Sequence, residues 1–286
     1  MGEPAAVAPF PFLVGCGRSG TTLLRAMVDA HPDIAVPPES HFIVTLSRGS
    51  FDRQSFLDRL YASSRFELWE LDRPVLETEL DRVAPAAYPD AVRAVFAAWA
   101  TRRGKHRWAD KTPGYVLHIR RLAELFPEAV FVHLVRDGRD VAASFLELGW
   151  AGTIEEAALH WKLRVRRGRR AGARLPAGRY QELRYEELVA DPGPSLRLVC
   201  AAAGLRFEPA MLDHHDRAAE VVRTTSHPTY HRHLSAPVTS DLRNWRRDIA
   251  ADDVARFELV AGDLLAELGY ERGSRRPSTR LRVDVA

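Results

Sequence analysis

Two segments of the chain carry residues that suit the binding of anions, and each follows an apolar run. The first, residues 15–22 (GCGRSGTT), has the spacing of a P-loop, in which a second glycine and then a threonine or serine follow at fixed distances. Glycines let backbone N–H groups turn towards an anion, and the N-terminus of the following helix adds a favourable dipole. The segment therefore predicts a phosphate-binding loop, and a glycine-rich turn without a ligand is the alternative.

The positive charge of this loop lies at an unusual position. Nucleoside triphosphatases carry a lysine at the seventh position of the motif, where it reaches the β- and γ-phosphates. In this chain that position is Thr21, and the fixed charge is Arg18, inside the loop. The difference weakens the case for a triphosphate bound with magnesium.

The second segment, residues 135–144 (VRDGRDVAAS), places an arginine at the end of a strand-like run and a serine two helical turns later. The planar fork of Arg136 suits phosphate oxygens, and the hydroxyl of Ser144 can also donate a hydrogen bond. Asp137 is placed to cap the helix between them. Taken alone, Arg136 would be assigned to a surface ion pair, but together with the first loop it predicts a second phosphate site.

The surrounding elements predict how these segments come together. Residues 10–14 and 129–135 are apolar runs typical of strands covered on both faces, and a helix is predicted after each. Further helices are predicted at residues 55–61, 75–102 with a break near 85–89, 115–126, 154–174, 194–203 and 252–268. Strands that alternate with helices indicate an α/β, P-loop-type three-layer fold with a central, mainly parallel sheet. Both segments then lie at carboxyl ends of strands, where such sheets bind ligands.

Length and composition limit the class of protein. The chain has 286 residues, of which 46% are apolar, and carries a net charge of +3. One domain is predicted over residues 1–272, followed by a basic, mobile tail over residues 273–286. Two cysteines cannot form a disulfide framework, and the apolar runs are far shorter than the roughly 20 residues that span a bilayer. We therefore predict a soluble, cytoplasmic protein with no membrane partner.

The motifs resemble those of sulfotransferases that use 3′-phosphoadenosine 5′-phosphosulfate (PAPS), and most closely those of tyrosylprotein sulfotransferases. Four stretches carry the resemblance: RSGTTLLRAMVDAHPDI (residues 18–34), DKTP (110–113), LVRDGR (134–139) and residues 265–271. The resemblance implies transfer of a sulfuryl group from PAPS to a hydroxyl of a small molecule, a glycan or a tyrosyl peptide.

The resemblance also assigns residues to the donor. Those that would hold the 5′-phosphosulfate are Arg18, Ser19, Gly20, Thr21 and Thr22. Those that would hold the 3′-phosphate are Arg136 and Ser144. Tyr185 matches a tyrosine that contacts the nucleotide, and Ser235 is a further candidate for the donor site.

Two residues are assigned to the transfer itself. Glu39 matches the general base of the family, and Lys111 matches a lysine that stabilises the transferring sulfuryl group. His41, two residues after Glu39, is the alternative base. A sulfuryl group carries less charge than a phosphoryl group, so no metal is expected. The tyrosylprotein enzymes have a lysine before a tryptophan near the C-terminus, whereas Asn244 precedes Trp245 here, which leaves the acceptor open.

Two other functions are compatible with parts of the sequence. A magnesium-dependent small-molecule kinase is disfavoured by Thr21. A non-catalytic nucleotide- or nucleic-acid-binding module is suggested by the arginine-rich residues 164–174, for which a solvated helix face is the simpler interpretation. Three histidines at positions 227, 231 and 233 are assigned to a loop near the nucleotide rather than to a metal site. We expect no nucleic-acid partner.

Overall fold

The computed structural model describes residues 8–213, 221–224 and 244–273. Its strands are β1 (Pro11–Gly15), β2 (Ile34–Ala35), β3 (Arg107–Trp108), β4 (Asp110–Lys111), β5 (Val130–Val135) and β6 (Tyr180–Arg184). Four of them form a parallel sheet in the order β4-β1-β5-β6, and β2 and β3 form a separate parallel pair. The predicted α/β class with a central parallel sheet is confirmed.

Helices cover the sheet. In chain order they are α1 (Thr21–Asp29), α2 (Phe42–Thr45), α3 (Arg53–Tyr61), α4 (Ser64–Glu67), α5 (Arg73–Val83), α6 (Tyr88–Arg102), α7 (Ile119–Leu125), α8 (Gly138–Glu147), α9 (Ile154–Gly172), α10 (Tyr185–Ala190), α11 (Pro192–Ala202), α12 (Trp245–Asp248) and α13 (Ala251–Glu267). Across the described residues, no helix is long and apolar enough to cross a membrane.

Alternating side chains of the central strands bind the layers together, as the two-residue period of a strand requires. Phe12 and Phe131 pack on one face with helices α3 to α7. Leu13 and Leu134 point to the opposite face and pack with α1, α10 and α11. A third cluster joins α8, α9 and α13. Burial on both faces explains why β1 and β5 are apolar almost throughout.

Local signals set several helix boundaries where they were predicted. Helix α8 is capped by Asp137, whose carboxylate accepts a hydrogen bond from the backbone N–H of Arg139 at 2.9 Å. The break predicted near residues 85–89 separates α5 from α6. The prediction of a single helix over residues 115–126 is wrong, because a 3-10 turn (Pro113–Leu117) precedes α7. His118, with φ near −122°, joins the two.

The sheet order places three strand ends side by side. Lys111, at the end of β4, pairs in register with Leu13 of β1, two residues before the first loop begins at Gly15. Gly15 pairs in turn with Leu134 near the end of β5, and Arg136 follows that strand. Lys111, the first loop and Arg136 are therefore brought to the same edge of the sheet, where the strands have their carboxyl ends.

Candidate active site

The phosphate loop (residues 15–22) turns sharply between β1 and α1. Arg18 and Gly20 have positive φ values of 68° and 93°. A Cβ atom on Gly20 would lie 2.3 Å from the Tyr185 ring, so a larger residue cannot occupy this position without moving the ring. The glycine thus serves both the backbone turn and the close approach of Tyr185, which begins helix α10.

Two donor atoms of this region are buried without a hydrogen-bond partner in the described structure. They are the Ser19 hydroxyl and Nε of Arg136, and both residues are almost completely buried. Buried polar groups in folded proteins are nearly always paired, so such atoms need an explanation. An anion held between the loop and Arg136 would supply the missing acceptors, which fits a phosphorylated ligand.

The two predicted phosphate segments are in direct contact. Nε of Arg18 donates to the Ser144 hydroxyl at 2.9 Å, and Nη1 of Arg136 lies 3.4 Å from the Arg18 carbonyl. The guanidinium of Arg136 also lies over the ring of Tyr185, 4.3 Å from its centre. The structure therefore brings Arg18, Arg136, Ser144 and Tyr185 together, although they come from three separate parts of the chain.

Glu39, Lys111 and His41 form a second group, the base cluster. Nζ of Lys111 lies 2.6 Å from Oε1 of Glu39, and Nε2 of His41 lies 2.9 Å from Oε2 of the same carboxylate. Burial opposes the ionisation of Glu39, but Lys111 and His41 outweigh it and hold the pKa of this carboxyl well below its ordinary value. Burial also lowers the pKa of Lys111, while the charge of Glu39 opposes that shift.

The loop that carries Glu39 is anchored by neighbouring hydroxyl groups. The backbone N–H of Ser40 donates to Oγ1 of Thr112 at 3.0 Å, and the Ser40 hydroxyl donates to that of Tyr115 at 3.0 Å. The Tyr115 hydroxyl also accepts from the backbone N–H of Ile43 at 3.1 Å. These hydrogen bonds connect residues 39–43 to the segment that follows β4. The loop that carries Glu39 is therefore fixed relative to Lys111, the last residue of β4.

Comparison with known proteins decides the family. A family model described as "Sulfotransferase family" matches residues 9–209, which is more than half of the chain. The chain belongs to the sulfotransferase family. Nodulation protein NoeE of Sinorhizobium fredii is 30% identical over 93% of this chain and 68% of that protein. Protein-tyrosine sulfotransferase 1 of Danio rerio is 26% identical over 94% of this chain and 74% of that protein.

Solved structures agree with this family. The sulfotransferase domain from the Synechococcus PCC 7002 olefin synthase has a TM-score of 0.67 and 26% identity, and the match covers 95% of this chain and 99% of that domain. A mouse sulfotransferase complexed with PAP (3′,5′-adenosine bisphosphate) shares the fold, with a TM-score of 0.51, 16% identity, and coverage of 92% of this chain and 87% of the other. PAP is what remains of the family's co-substrate, PAPS, after transfer. The sulfotransferase assignment is thus favoured over a kinase or a non-catalytic binding module.

Sequence reasoning missed several residues that support Arg136 in this sulfotransferase. Trp161 donates from its indole N–H to the Arg136 carbonyl at 3.1 Å, and Oδ2 of Asp140 lies 3.4 Å from the Arg136 guanidinium. The backbone N–H of Trp245 donates to the other oxygen of Asp140 at 2.8 Å. Burial raises the pKa of Asp140 to about 6, against the opposing charge of Arg136. Asp140 falls within the segment singled out above, four residues after Arg136, but its bond to the distant Trp245 could not be read from that segment.

Other candidates fall elsewhere. Ser235 and the three histidines of residues 227–233 lie outside the described residues, as does the predicted tail beyond residue 273. In the arginine-rich helix, Arg166 pairs with Asp263 at 2.7 Å and Arg169 with Glu182 at 2.9 Å, as expected of a solvated, ion-paired face. Within the described ranges, no group of three or more His, Cys, Asp or Glu side chains is arranged to hold a metal.

Proposed function

We propose that this sulfotransferase transfers the sulfuryl group of PAPS to a hydroxyl acceptor by in-line displacement, with Glu39 as the general base. The observation that carries the proposal is the pairing of the Glu39 carboxylate with the Lys111 ammonium at 2.6 Å, at the edge of the sheet that also bears the phosphate loop. A proton acceptor and a fixed cation side by side are what this transfer requires.

The donor is oriented by the two phosphate-binding segments. Arg18, Ser19 and the backbone of the phosphate loop hold the 5′-phosphosulfate, with Thr21 and Thr22 at the start of α1. Arg136 and Ser144 hold the 3′-phosphate. The unpartnered donor atoms of Ser19 and Arg136 support this arrangement, because each gains an acceptor when the nucleotide binds.

Transfer then needs one proton movement and one exchange of bonds at sulfur. Glu39 accepts the proton of the acceptor hydroxyl, whose oxygen forms a new bond to sulfur as the bond from sulfur to the 5′-phosphate oxygen breaks. Lys111 and Arg18 stabilise the negative charge on the sulfuryl oxygens and on the departing phosphate. PAP leaves with the electron pair of the broken bond. A positioned base typically contributes about 10²–10⁴-fold to the rate of such a step.

The acceptor class is a hydroxyl on a small molecule, a glycan or a tyrosyl peptide. Several relatives are named protein-tyrosine sulfotransferases, which supports a phenolic hydroxyl, whereas another is named a nodulation protein. Incubation with PAPS and a panel of a simple phenol, a tyrosyl peptide and an oligosaccharide, with mass spectrometry of each product, identifies the class. Sulfation of none of the three would contradict this range of acceptors.

The Glu39→Gln variant tests the base. The amide keeps the size of the side chain but cannot take the proton, so turnover is expected to fall by about 10²–10⁴-fold. PAP affinity, measured by calorimetry without magnesium, is expected to stay within threefold of wild type, roughly 0.6 kcal/mol. Wild-type turnover in this variant would remove Glu39 from the mechanism.

A further inference from the structure

Both oxygens of the Glu39 carboxylate are engaged in the described structure. Oε1 contacts Lys111 and Oε2 contacts His41, so an acceptor hydroxyl has to share either oxygen with a group that already holds it. Departure of one of the two partners would leave one oxygen to the acceptor hydroxyl alone and would make Glu39 a stronger base.

Lys111 is the partner that an arriving donor can draw away. Lys111 is the last residue of β4, which pairs with β1, and the phosphate loop follows β1 directly. The Lys111 side chain is only 1% exposed. A sulfuryl group bound at that loop is anionic and competes with Glu39 for the same ammonium. Transfer of Lys111 from Oε1 to the sulfuryl oxygens would leave Oε1 open.

His41 is held differently. Its backbone has a φ of 45°, which a residue with a side chain adopts at a cost of about 1–3 kcal/mol, and such strain clusters at functional sites. The conformation turns the ring back towards the residue two positions earlier, so that Nε2 meets Oε2 of Glu39 at 2.9 Å. The side chain is one-third exposed and so is not simply part of the apolar core.

We propose that His41 is a positioning residue that donates from Nε2 to Oε2 of Glu39, so that Oε1 is the atom that accepts the acceptor's proton after Lys111 has moved to the sulfuryl group. This inference rests on the proposed role of Glu39. The proton from the acceptor goes to Oε1, and the proton on Nε2 stays where it is throughout the transfer.

A neighbouring cation affects which contact Nε2 makes. Nη1 of Arg65, an exposed residue of α4, also lies within hydrogen-bonding distance of Nε2 of His41. A guanidinium has no acceptor atom, so Nε2 can accept from Arg65 only in the tautomer that cannot donate to Glu39. The proposal assigns the proton to Nε2, because the facing carboxylate is an acceptor and the exposed Arg65 side chain is able to turn into solvent.

Variants at position 41 test the inference. His41→Ala removes the donor and is expected to lower kcat by about 10–100-fold, since a misplacement of about 1 Å in a reacting group can cost that much. PAP affinity is expected to be unchanged. His41→Gln restores an N–H donor at a similar reach and is expected to recover most of kcat. His106→Ala removes an exposed histidine before β3 and serves as the matched control, with wild-type turnover expected.

The outcomes separate this inference from the proposed function. An active Glu39→Gln variant would overturn both. An inactive Glu39→Gln variant with wild-type kcat in His41→Ala would overturn only the role of His41. Equal losses in folded His41→Ala and His41→Gln would also overturn it, because the donated hydrogen bond would then not matter. If His41→Ala fails to fold, His41→Leu replaces it, since leucine fills the space without a donor.

Discussion

In the phosphate-binding half of the site, Ser19 and Arg136 keep donor atoms without a partner in the described structure, whereas in the base cluster both oxygens of Glu39 are already engaged. The first half is shaped by backbone turns and by close packing, such as that of Tyr185 on Gly20. The second is held by ion pairs and hydrogen bonds between side chains. The donor half thus offers unpartnered donor atoms to an anion, whereas Glu39 offers an acceptor hydroxyl only oxygens that Lys111 or His41 already contacts.

The pairing of Glu39 with Lys111 has a chemical consequence for the timing of proton transfer. A carboxylate paired with a buried ammonium is a weak base, as the lowered pKa of Glu39 indicates. In the proposed mechanism, arrival of the anionic donor draws Lys111 away and makes Glu39 more basic at the moment when a sulfuryl group is present to receive the nucleophile. The same mechanism has this lysine then stabilise the charge that develops during transfer.

Replacement of Lys111 is the strongest test of the difference between the donor half and the base cluster. Lys111→Gln is expected to lower kcat by about 10²–10³-fold, the range found when one preorganised electrostatic donor is lost. PAP affinity is expected to change little, because Lys111 contacts Glu39 rather than the phosphate segments. Steady-state kinetics and PAP calorimetry provide the two measurements.

Lys162 offers a matched control for that variant. Its ammonium also pairs with a carboxylate, that of Asp263, at 2.8 Å, but on the outer helices α9 and α13. Lys162→Gln should leave kcat and PAP affinity at wild-type values. If Lys111→Gln weakened PAP binding as much as turnover, the division between a donor half and a base half would be wrong.

Loss of Arg136 tests the donor half. A charge-assisted hydrogen bond contributes about 1.5–3 kcal/mol, so Arg136→Ala should weaken PAP binding by roughly 10–100-fold. Binding of ADP, which lacks the 3′-phosphate, should change much less. Calorimetric titration of wild type and variant with both nucleotides gives the comparison, and an equal loss for PAP and ADP would show that Arg136 does not bind the 3′-phosphate.

The two halves also differ in how far the sequence could predict them. The phosphate loop is contiguous, and its glycine spacing between a strand and a helix was enough to predict its structure. The Arg136 segment follows a strand that is apolar apart from His133. Glu39 and Lys111, in contrast, lie 72 residues apart, and only resemblance to a family linked them before the structure showed their contact.

Some residues have roles that depend on contacts with distant parts of the chain, and the local sequence pattern does not indicate those roles. Trp161 lies on a helix whose pattern indicated only an arginine-rich face, yet its indole N–H holds the Arg136 carbonyl. His41 was considered only as an alternative base, because sequence alone could not reveal its left-handed backbone or its bond to Oε2 of Glu39. The 3-10 turn before α7 was also missed, and its Tyr115 hydroxyl contacts the loop that carries Glu39, which is distant in sequence.

The smallest predicted effect concerns a second carboxyl next to the base cluster. Asp110 is completely buried beside Lys111, and burial raises its pKa from 3.8 to about 6, the direction opposite to that of Glu39. Because the folded protein keeps a proton that the unfolded chain releases, the ionisation of Asp110 destabilises the fold as pH rises through this window. The full penalty is present above the folded-state pKa and is relieved below 3.8.

Asp110→Asn removes this titration. The stability of the variant relative to wild type, measured by urea denaturation as the difference in the free energy of unfolding, should rise by about 1 kcal/mol between pH 5 and pH 8, because only wild type loses stability as Asp110 ionises. The absolute difference at one pH also includes any hydrogen bond that the amide loses, such as that from Oγ1 of Thr112, so the change with pH is the informative quantity. If the stability difference between variant and wild type does not change with pH, Asp110 ionises as easily in the folded protein as in the unfolded chain. Of the two carboxyls, only Glu39 would then have a shifted pKa.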